Sequence, residues 1–221
     1  MNIQLVTTSD GSHTLFVKEL KEHYHSTFGA MQESAHIFIN AGFKSSTSNQ
    51  KQINILEVGF GTGLNAFLSC IETISTKVTI HYTTIESNPL AEEITSLLNY
   101  PQYFHPSIAS IFSTLHSCPW NEEYKICDLF TILKIENRLE KTNLQTGLYD
   151  LIYFDAFGPD VQPELWTEDI FEKIYLATRK DGILITYSAK GSVRRALKNA
   201  GFSVEKLPGP PGKREITRAI K

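Results

Sequence analysis

From residue 53 onward the apolar positions of this chain change period in a regular way. INILEVGF (53–60) is an apolar run ending in a glycine turn, and LNAFLSCIETI (64–74) continues with apolar residues at helical spacing. The alternation then repeats. VTIHYTTIE (78–86) is a β-branched run and LAEEITSLLNY (90–100) reads as an amphipathic helix. After a less regular stretch come YKICDL (124–129) and the apolar strand LYDLIYFDAF (148–157). The helix TEDIFEKIYLATR (167–179), the strand GILITYSA (182–189) and the helix SVRRALKNAG (192–201) follow. Strands alternating with helices of this length predict βαβ units and a mostly parallel, doubly wound α/β sheet of Rossmann-like form. FSVEKL and REITRAI, joined by PGPPGK, predict an antiparallel pair at its C-terminal edge.

Ahead of this repeat the pattern differs. Apolar residues 3–6 and 14–17 flank the turn-rich SDGSH, which predicts a β-hairpin, and QESAHIFIN (32–40) predicts a helix. The polar KSSTSNQKQ (44–52) predicts a surface loop. The expected organisation is an N-terminal extension, residues 1–50, packed on a main domain, residues 51–221.

Composition narrows the class. A chain of 221 residues that is 41% hydrophobic and 20% charged is an ordinary globular protein. Its formal net charge of -3 gives no bulk attraction to nucleic acid, so any polyanion site must be a local basic patch. The N-terminus has no basic-then-apolar leader, and no apolar run approaches a membrane span. Cys70, Cys118 and Cys127 form no CxxC pair and leave an odd number, which suits reduced thiols. These features predict a cytoplasmic protein without a membrane partner. Seven histidines include His23 and His25, but no His, Cys or Asp repeats a recognised ligand spacing, so no metal is expected.

Ligands of open α/β sheets bind beyond the carboxyl ends of the strands. Gly59, Gly61 and Gly63 in EVGFGTGLN lie there, where glycine permits positive φ and lets ligand atoms approach the backbone. A dinucleotide fingerprint would read GxGxxG; the GxGxG here looks like the first motif of class I methyltransferases, whose cofactor has no pyrophosphate. Glu86 ends the next strand, where an acidic group accepts hydrogen bonds from ribose hydroxyls. Asp128 ends YKICD and is placed to meet an adenine edge. Each feature alone also reads as a tight turn or a solvated strand end; their order at successive strand ends favours a cofactor site.

LYDLIYFDAFGP carries an apolar strand into Asp155. Methyl transfer from a sulfonium is an in-line displacement that needs an aligned, neutral nucleophile. A carboxylate that accepts a hydrogen bond or proton from an amine meets that need, and Asp155 is the candidate. Its local alternative is capping the following turn. Phe154, Phe157 and Trp166 can stack on a base or pack in the core.

These motifs resemble the methyltransferase domain of the bifunctional tRNA 5-methylaminomethyl-2-thiouridine biosynthesis protein (MnmC) and its free-standing relatives. The likeness runs through DGSHTL, YHSTFGAMQES, EVGFGTGLN, ESNPL, DAFGP, PELW, TYSAKGSVRRAL, AGF and GKRE, spanning nearly the whole chain. It implies N-methylation of an aminomethyl group on the wobble uridine in a tRNA anticodon loop, with S-adenosylmethionine as donor and no FAD-dependent oxidoreductase domain. It implies Asp155 as the catalytic carboxylate. Within EVGFGTGLN and its successors, Glu57, Gly59, Phe60, Gly61, Gly63, Asn65, Glu86 and Asp128 form the expected cofactor set. Tyr24, Glu33, Phe157, Arg194, Lys213 and Arg214 form the expected substrate set. DAFGP replaces the DGFAP of the bifunctional members, which bears on the shape of the substrate pocket.

Lys190, Arg194, Arg195, Lys198, Lys213 and Arg214 put a basic stretch near the C-terminus. They can contact RNA phosphates; for Arg194 to Lys198 the alternative is a solvated helix face, whereas Lys213 and Arg214 lie on a Gly-Pro-rich loop with little core to pack. Two other readings remain open: a small-molecule methyltransferase of the same fold, and a catalytically silent RNA-binding protein.

Overall fold

The computed structural model describes residues 2–47 and 50–221. Three antiparallel strands open the chain, β1 (Ile3–Thr7), β2 (His13–Val17) and the short β3 (Glu22–His23). Helix α1 (Ala30–Ser34) runs on through wider π-helical turns at Ala35–Phe43 into α2 (Lys44–Ser46). The polar segment expected as a loop from residue 44 therefore begins as a last helical turn; its residues 48 and 49 lie outside the described residues.

The main sheet begins with β4 (Gln52–Val58), followed by α3 (Leu64–Thr76), β5 (Thr79–Glu86), the single turn α4 (Glu92–Thr95) and α5 (Pro106–Ser117). The hairpin β6 (Glu123–Cys127) and β7 (Phe130–Glu136) comes next, then β8 (Tyr149–Phe154), α6 (Glu168–Ala177), β9 (Thr178–Thr186) and α7 (Gly191–Asn199). The strands β10 (Ser203–Pro208) and β11 (Glu215–Ile220) close the chain. Strand order is β10-β11-β9-β8-β4-β5-β7-β6. The five inner strands β9, β8, β4, β5 and β7 are parallel, while β11 pairs antiparallel with both β9 and β10.

Parallel strands covered on both faces carry continuous apolar side chains. Tyr149 through Phe154 of β8 are all buried, with Leu151 and Tyr153 on one face and Ile152 and Phe154 on the other. The first face packs under α1, α3 and α5, the second under α6 and α7. The two ends of α6 and α5 follow local rules. The Thr167 hydroxyl accepts from Ile170 N at the start of α6, and Pro106 opens α5, where its missing N–H costs nothing.

The structure corrects three local expectations. The helix expected over 90–100 shrinks to Glu92–Thr95, because Asn99 turns away to hold the N-terminal hairpin: its Oδ1 accepts from His13 N (2.8 Å) and its Nδ2 donates to Gly11 O (2.9 Å). Helix α5 fills the stretch that looked irregular. YKICDL is no inner strand: it ends the outer, antiparallel β6, and the strand parallel to β5 is FTILKIE of β7. Among the described residues no helix is long and apolar enough to cross a membrane.

Candidate functional site

At the switch point between β4 and β8 the carboxyl ends of the strands open into a cavity of about 740 Å³. Its volume is that of an ordinary small-ligand site. The chain turns sharply out of β4, with φ of 91° at Gly59, 48° at Gly61 and 71° at Gly63. A Cβ on Gly59 would sit 2.8 Å from Asp155 O, and one on Gly61 would sit 3.0 Å from the Tyr24 ring, so these turns leave room only for backbone. Gly59, Phe60 and Gly61 line the cavity. Gly63 does not; it caps α3, and its N–H donates to Phe60 O (2.8 Å).

Glu86, at the end of β5, lines the same cavity. Its Oε2 accepts from Gly61 N (3.2 Å) and its Oε1 from Asn88 N (2.9 Å), which aims the carboxylate across the glycine turn. This donor set fits a nucleoside cofactor: a glycine cradle that a Cβ would fill, and beside it a fixed carboxylate able to accept from a ribose diol.

Asp155 follows β8, anchored by its own N–H on Val58 O (3.0 Å), and faces into the cavity. Asn65, on the first turn of α3, donates from Nδ2 to Asp155 Oδ2 (2.8 Å). The carboxyl touches the cavity yet is otherwise enclosed by protein. Burial pushes its pKa up to about 8, against the lowering effect of the Asn65 hydrogen bond; Glu33 raises it further and Lys213 lowers it.

The opposite wall comes from the two chain ends. Glu33 Oε2 accepts from Ser26 N (2.7 Å), and its Oε1 forms an ion pair with Lys213 Nζ (2.8 Å). That ammonium also lies 4.1 Å from the centre of the Tyr187 ring, whose hydroxyl donates to Ala156 O (2.8 Å). Tyr24 meets Phe157 edge-on at 5.0 Å, closing an aromatic corner over the glycine turn. His23 and His25 both line the wall, and His25 Nε2 lies 2.6 Å from the Thr62 hydroxyl. Burial lowers the His25 pKa to about 4, so its ring is neutral at physiological pH.

Several expected site residues lie elsewhere. Asp128 sits in the β6–β7 turn, at the far end of the sheet from the cavity, exposed and paired with Lys125 (2.8 Å). The error traces to the strand assignment, since the ligand end of β7 is Asn137. Glu57 is buried on β4, with both carboxyl oxygens buried, and does not line the cavity. Arg194 is committed to Glu215 (3.3 Å) outside the cavity. Arg214 is exposed on a shallow depression beside it, with Lys206 and Glu215. Lys213, expected on a loop with little to pack against, instead closes on Glu33.

Sequence reasoning missed the segment Asn137 to Glu140, which lines the cavity beyond β7, where Arg138 Nη2 pairs with Glu140 Oε1 (2.8 Å). The alternating FTILKIE followed by a polar turn was the available signal. It also missed Tyr187.

A family described as S-adenosyl-L-methionine-dependent methyltransferase matches residues 99–221, more than half of the chain. The chain is 31% identical over 209 residues to the tRNA 5-methylaminomethyl-2-thiouridine biosynthesis bifunctional protein MnmC of Cupriavidus necator, covering 89% of this chain and 31% of that protein. The protein of the same name from Campylobacter hominis is 28% identical over 211 residues, covering 93% and 31%. The chain thus spans about a third of the length of the curated relatives it matches. The crystal structure of MNMC2 from Aquifex aeolicus superposes with a TM-score of 0.77 at 26% identity, covering 99% of this chain and 70% of that one. Spermidine synthase from Thermotoga maritima, at 14% identity and a TM-score of 0.54, shares the fold.

Proposed function

Because the chain belongs to a family of S-adenosyl-L-methionine-dependent methyltransferases, we propose that it methylates the primary amine of an aminomethyl group on the wobble uridine of tRNA. The observation that carries this reading is the placement of Asp155: a carboxyl held by Asn65, raised to a pKa of about 8, in one cavity with the glycine turn and Glu86. The names of the relatives, which specify tRNA 5-methylaminomethyl-2-thiouridine biosynthesis, support the choice of acceptor.

Gly59, Gly61 and Glu86 would hold the cofactor, Glu86 through its ribose hydroxyls. The bound sulfonium supplies an electrophilic methyl group. An aminomethyl group arrives largely as an ammonium, which has no lone pair to attack with. Asp155 accepts one N–H proton and so frees the lone pair for the methyl group; the amine would end as a secondary ammonium and the cofactor as a neutral thioether. A base with a pKa near that of the working medium is well matched to that transfer. Tyr24 and Phe157 offer aromatic faces for the uracil ring, which is already unpaired in an anticodon loop. Phosphates of the loop would meet exposed cations such as Arg214 rather than Arg194, which is ion-paired to Glu215, or Lys213, which is paired to Glu33.

The test is tRNA from cells lacking this protein, incubated with the protein and labelled S-adenosylmethionine, then digested for nucleoside mass spectrometry. Conversion of aminomethyl-uridine to methylaminomethyl-uridine is expected. Donor binding without transfer to tRNA would refute the acceptor and point to a small-molecule substrate.

A further inference from the structure

Behind Asp155, between β4, β5 and α3, lies a pocket of polar atoms that the reaction above does not use. Glu57 is fully buried on β4, one strand over from β8. Thr84, Asn65 and Tyr82 flank its carboxyl, yet neither Glu57 oxygen has a protein partner in good hydrogen-bond geometry. Asn65 Oδ1, the Tyr82 hydroxyl and the Thr84 hydroxyl are equally buried and equally unpartnered. Five such atoms in one place demand an account, because a buried polar group without a partner costs the full desolvation of that group.

The titratable groups facing Glu57 are Tyr82 on β5, Tyr153 on β8 and Asp155 beyond β8. The only formal charge among them is that of Asp155, which is negative and so disfavours a second anion. Asn65 bridges the two carboxyls. Its Nδ2 donates to Asp155 Oδ2 (2.8 Å), while its Oδ1 is buried, has no partner and needs a donor.

We propose that Glu57 is a positioning residue that carries its own proton and donates it to Asn65 Oδ1, fixing the amide with Nδ2 on Asp155. This rests on the reading of Asp155 as the proton acceptor. Burial raises the Glu57 pKa well above the usual carboxylate range, in keeping with the neutral form. The amide then has a single orientation, because a flip would set Oδ1 against the Asp155 carboxylate and Nδ2 against the acid proton of Glu57. Glu57 acts through Asn65 and touches neither donor nor acceptor. Its hydroxyl donates, and its carbonyl oxygen, with two lone pairs, is left to accept from both Thr84 and Tyr82, so one proton gives all five atoms a partner.

Three readouts test this. Glu57→Met removes the donor at similar length; turnover should fall about 10- to 100-fold through loss of alignment, with S-adenosylmethionine affinity kept. Glu57→Gln presents an N–H in place of the acid O–H and should restore turnover to within a few-fold, with the acidic limb of the pH profile unmoved. A Glu57→Gln enzyme as impaired as Glu57→Met, or a loss of donor affinity matching the loss of turnover, would overturn the proposal. Infrared difference spectroscopy of wild type against Glu57→Gln at about pH 9, above the Asp155 pKa, needs no turnover and no acceptor. It should show the carbonyl stretch of an un-ionised carboxylic acid vanish in the variant. If the lost bands are those of a carboxylate, Glu57 is charged and the proposal is wrong, whatever the acceptor proves to be.

Discussion

Replacing Asp155 by asparagine should make the protein more stable while stopping its chemistry. The carboxyl titrates at about 8 in the folded chain against 3.8 unperturbed, a difference of about 4 units. At about 1.4 kcal/mol per unit the ceiling is about 6 kcal/mol of lost stability. The side chain opens onto the cavity, and solvent there screens the charge, so the expected effect is about 2–3 kcal/mol. The sign follows from proton counting. Between the unfolded and folded pKa the native state binds a proton that the unfolded chain has released, so wild-type stability falls as pH rises through this window and levels above about 8. Asparagine resembles the protonated acid and keeps the Asn65 contact without that loss. Urea unfolding at about pH 5 and about pH 9 should show Asp155→Asn ahead by under about 1 kcal/mol at the lower pH and by about 2–3 kcal/mol at the higher, with unchanged m-values. Methyl transfer should fall by a factor of about 100 or more, with donor binding retained. Equal stability of the two proteins at both pH values would refute the raised pKa, and normal turnover would refute the role of Asp155.

Turnover should rise with pH along a limb near 8, as Asp155 ionises, in a kcat–pH profile. Lys213→Met removes a cation that lowers this pKa and should move the limb to higher pH; Glu33→Gln removes an anion that raises it and should move the limb lower. Gly59→Ala places a Cβ 2.8 Å from Asp155 O at φ 91°, and should cost about 1–3 kcal/mol in chemical denaturation and weaken donor binding in calorimetry. Asp128→Ala, on the distant β6–β7 turn, should leave donor affinity within about 2-fold, since exposed pairs of this kind contribute little.

The sheet was legible because parallel strands covered on both faces favour apolar runs: β8 is buried throughout, β9 ends in GILIT, and β4 and β5 are rich in isoleucine and β-branched residues. The glycine turn was legible for a related reason: positive φ at three positions leaves few residue choices. Long-range pairing was the opaque part. Nothing local in YKICDL tells an outer antiparallel strand from an inner parallel one. Its misassignment carried Asp128 to the wrong end of the sheet and hid Asn137 to Glu140. The helix expected over 90–100 failed because Asn99 makes its hydrogen bonds to residues 11 and 13, contacts with no trace in helical periodicity. Glu57 shows a subtler limit. Its place in EVGFGTGLN suggested cofactor contact, but strand alternation turns it beneath the turn, into the core.

Lys213 poses the matching question of charge. A cation beside a site for an ammonium acceptor looks self-defeating until the partners are counted. Asp155 and Glu33 are two of the carboxylates lining one cavity, and an incoming ammonium would find both attractive. A second strong acceptor would hold the amine protonated and off line. Lys213 pairs with Glu33 at 2.8 Å and lies over Tyr187, so on the proposed reaction Glu33 competes less with Asp155 for the proton. On the proposed reaction the ion pair thereby favours one outcome for the acceptor: deprotonation at Asp155, beside the glycine turn.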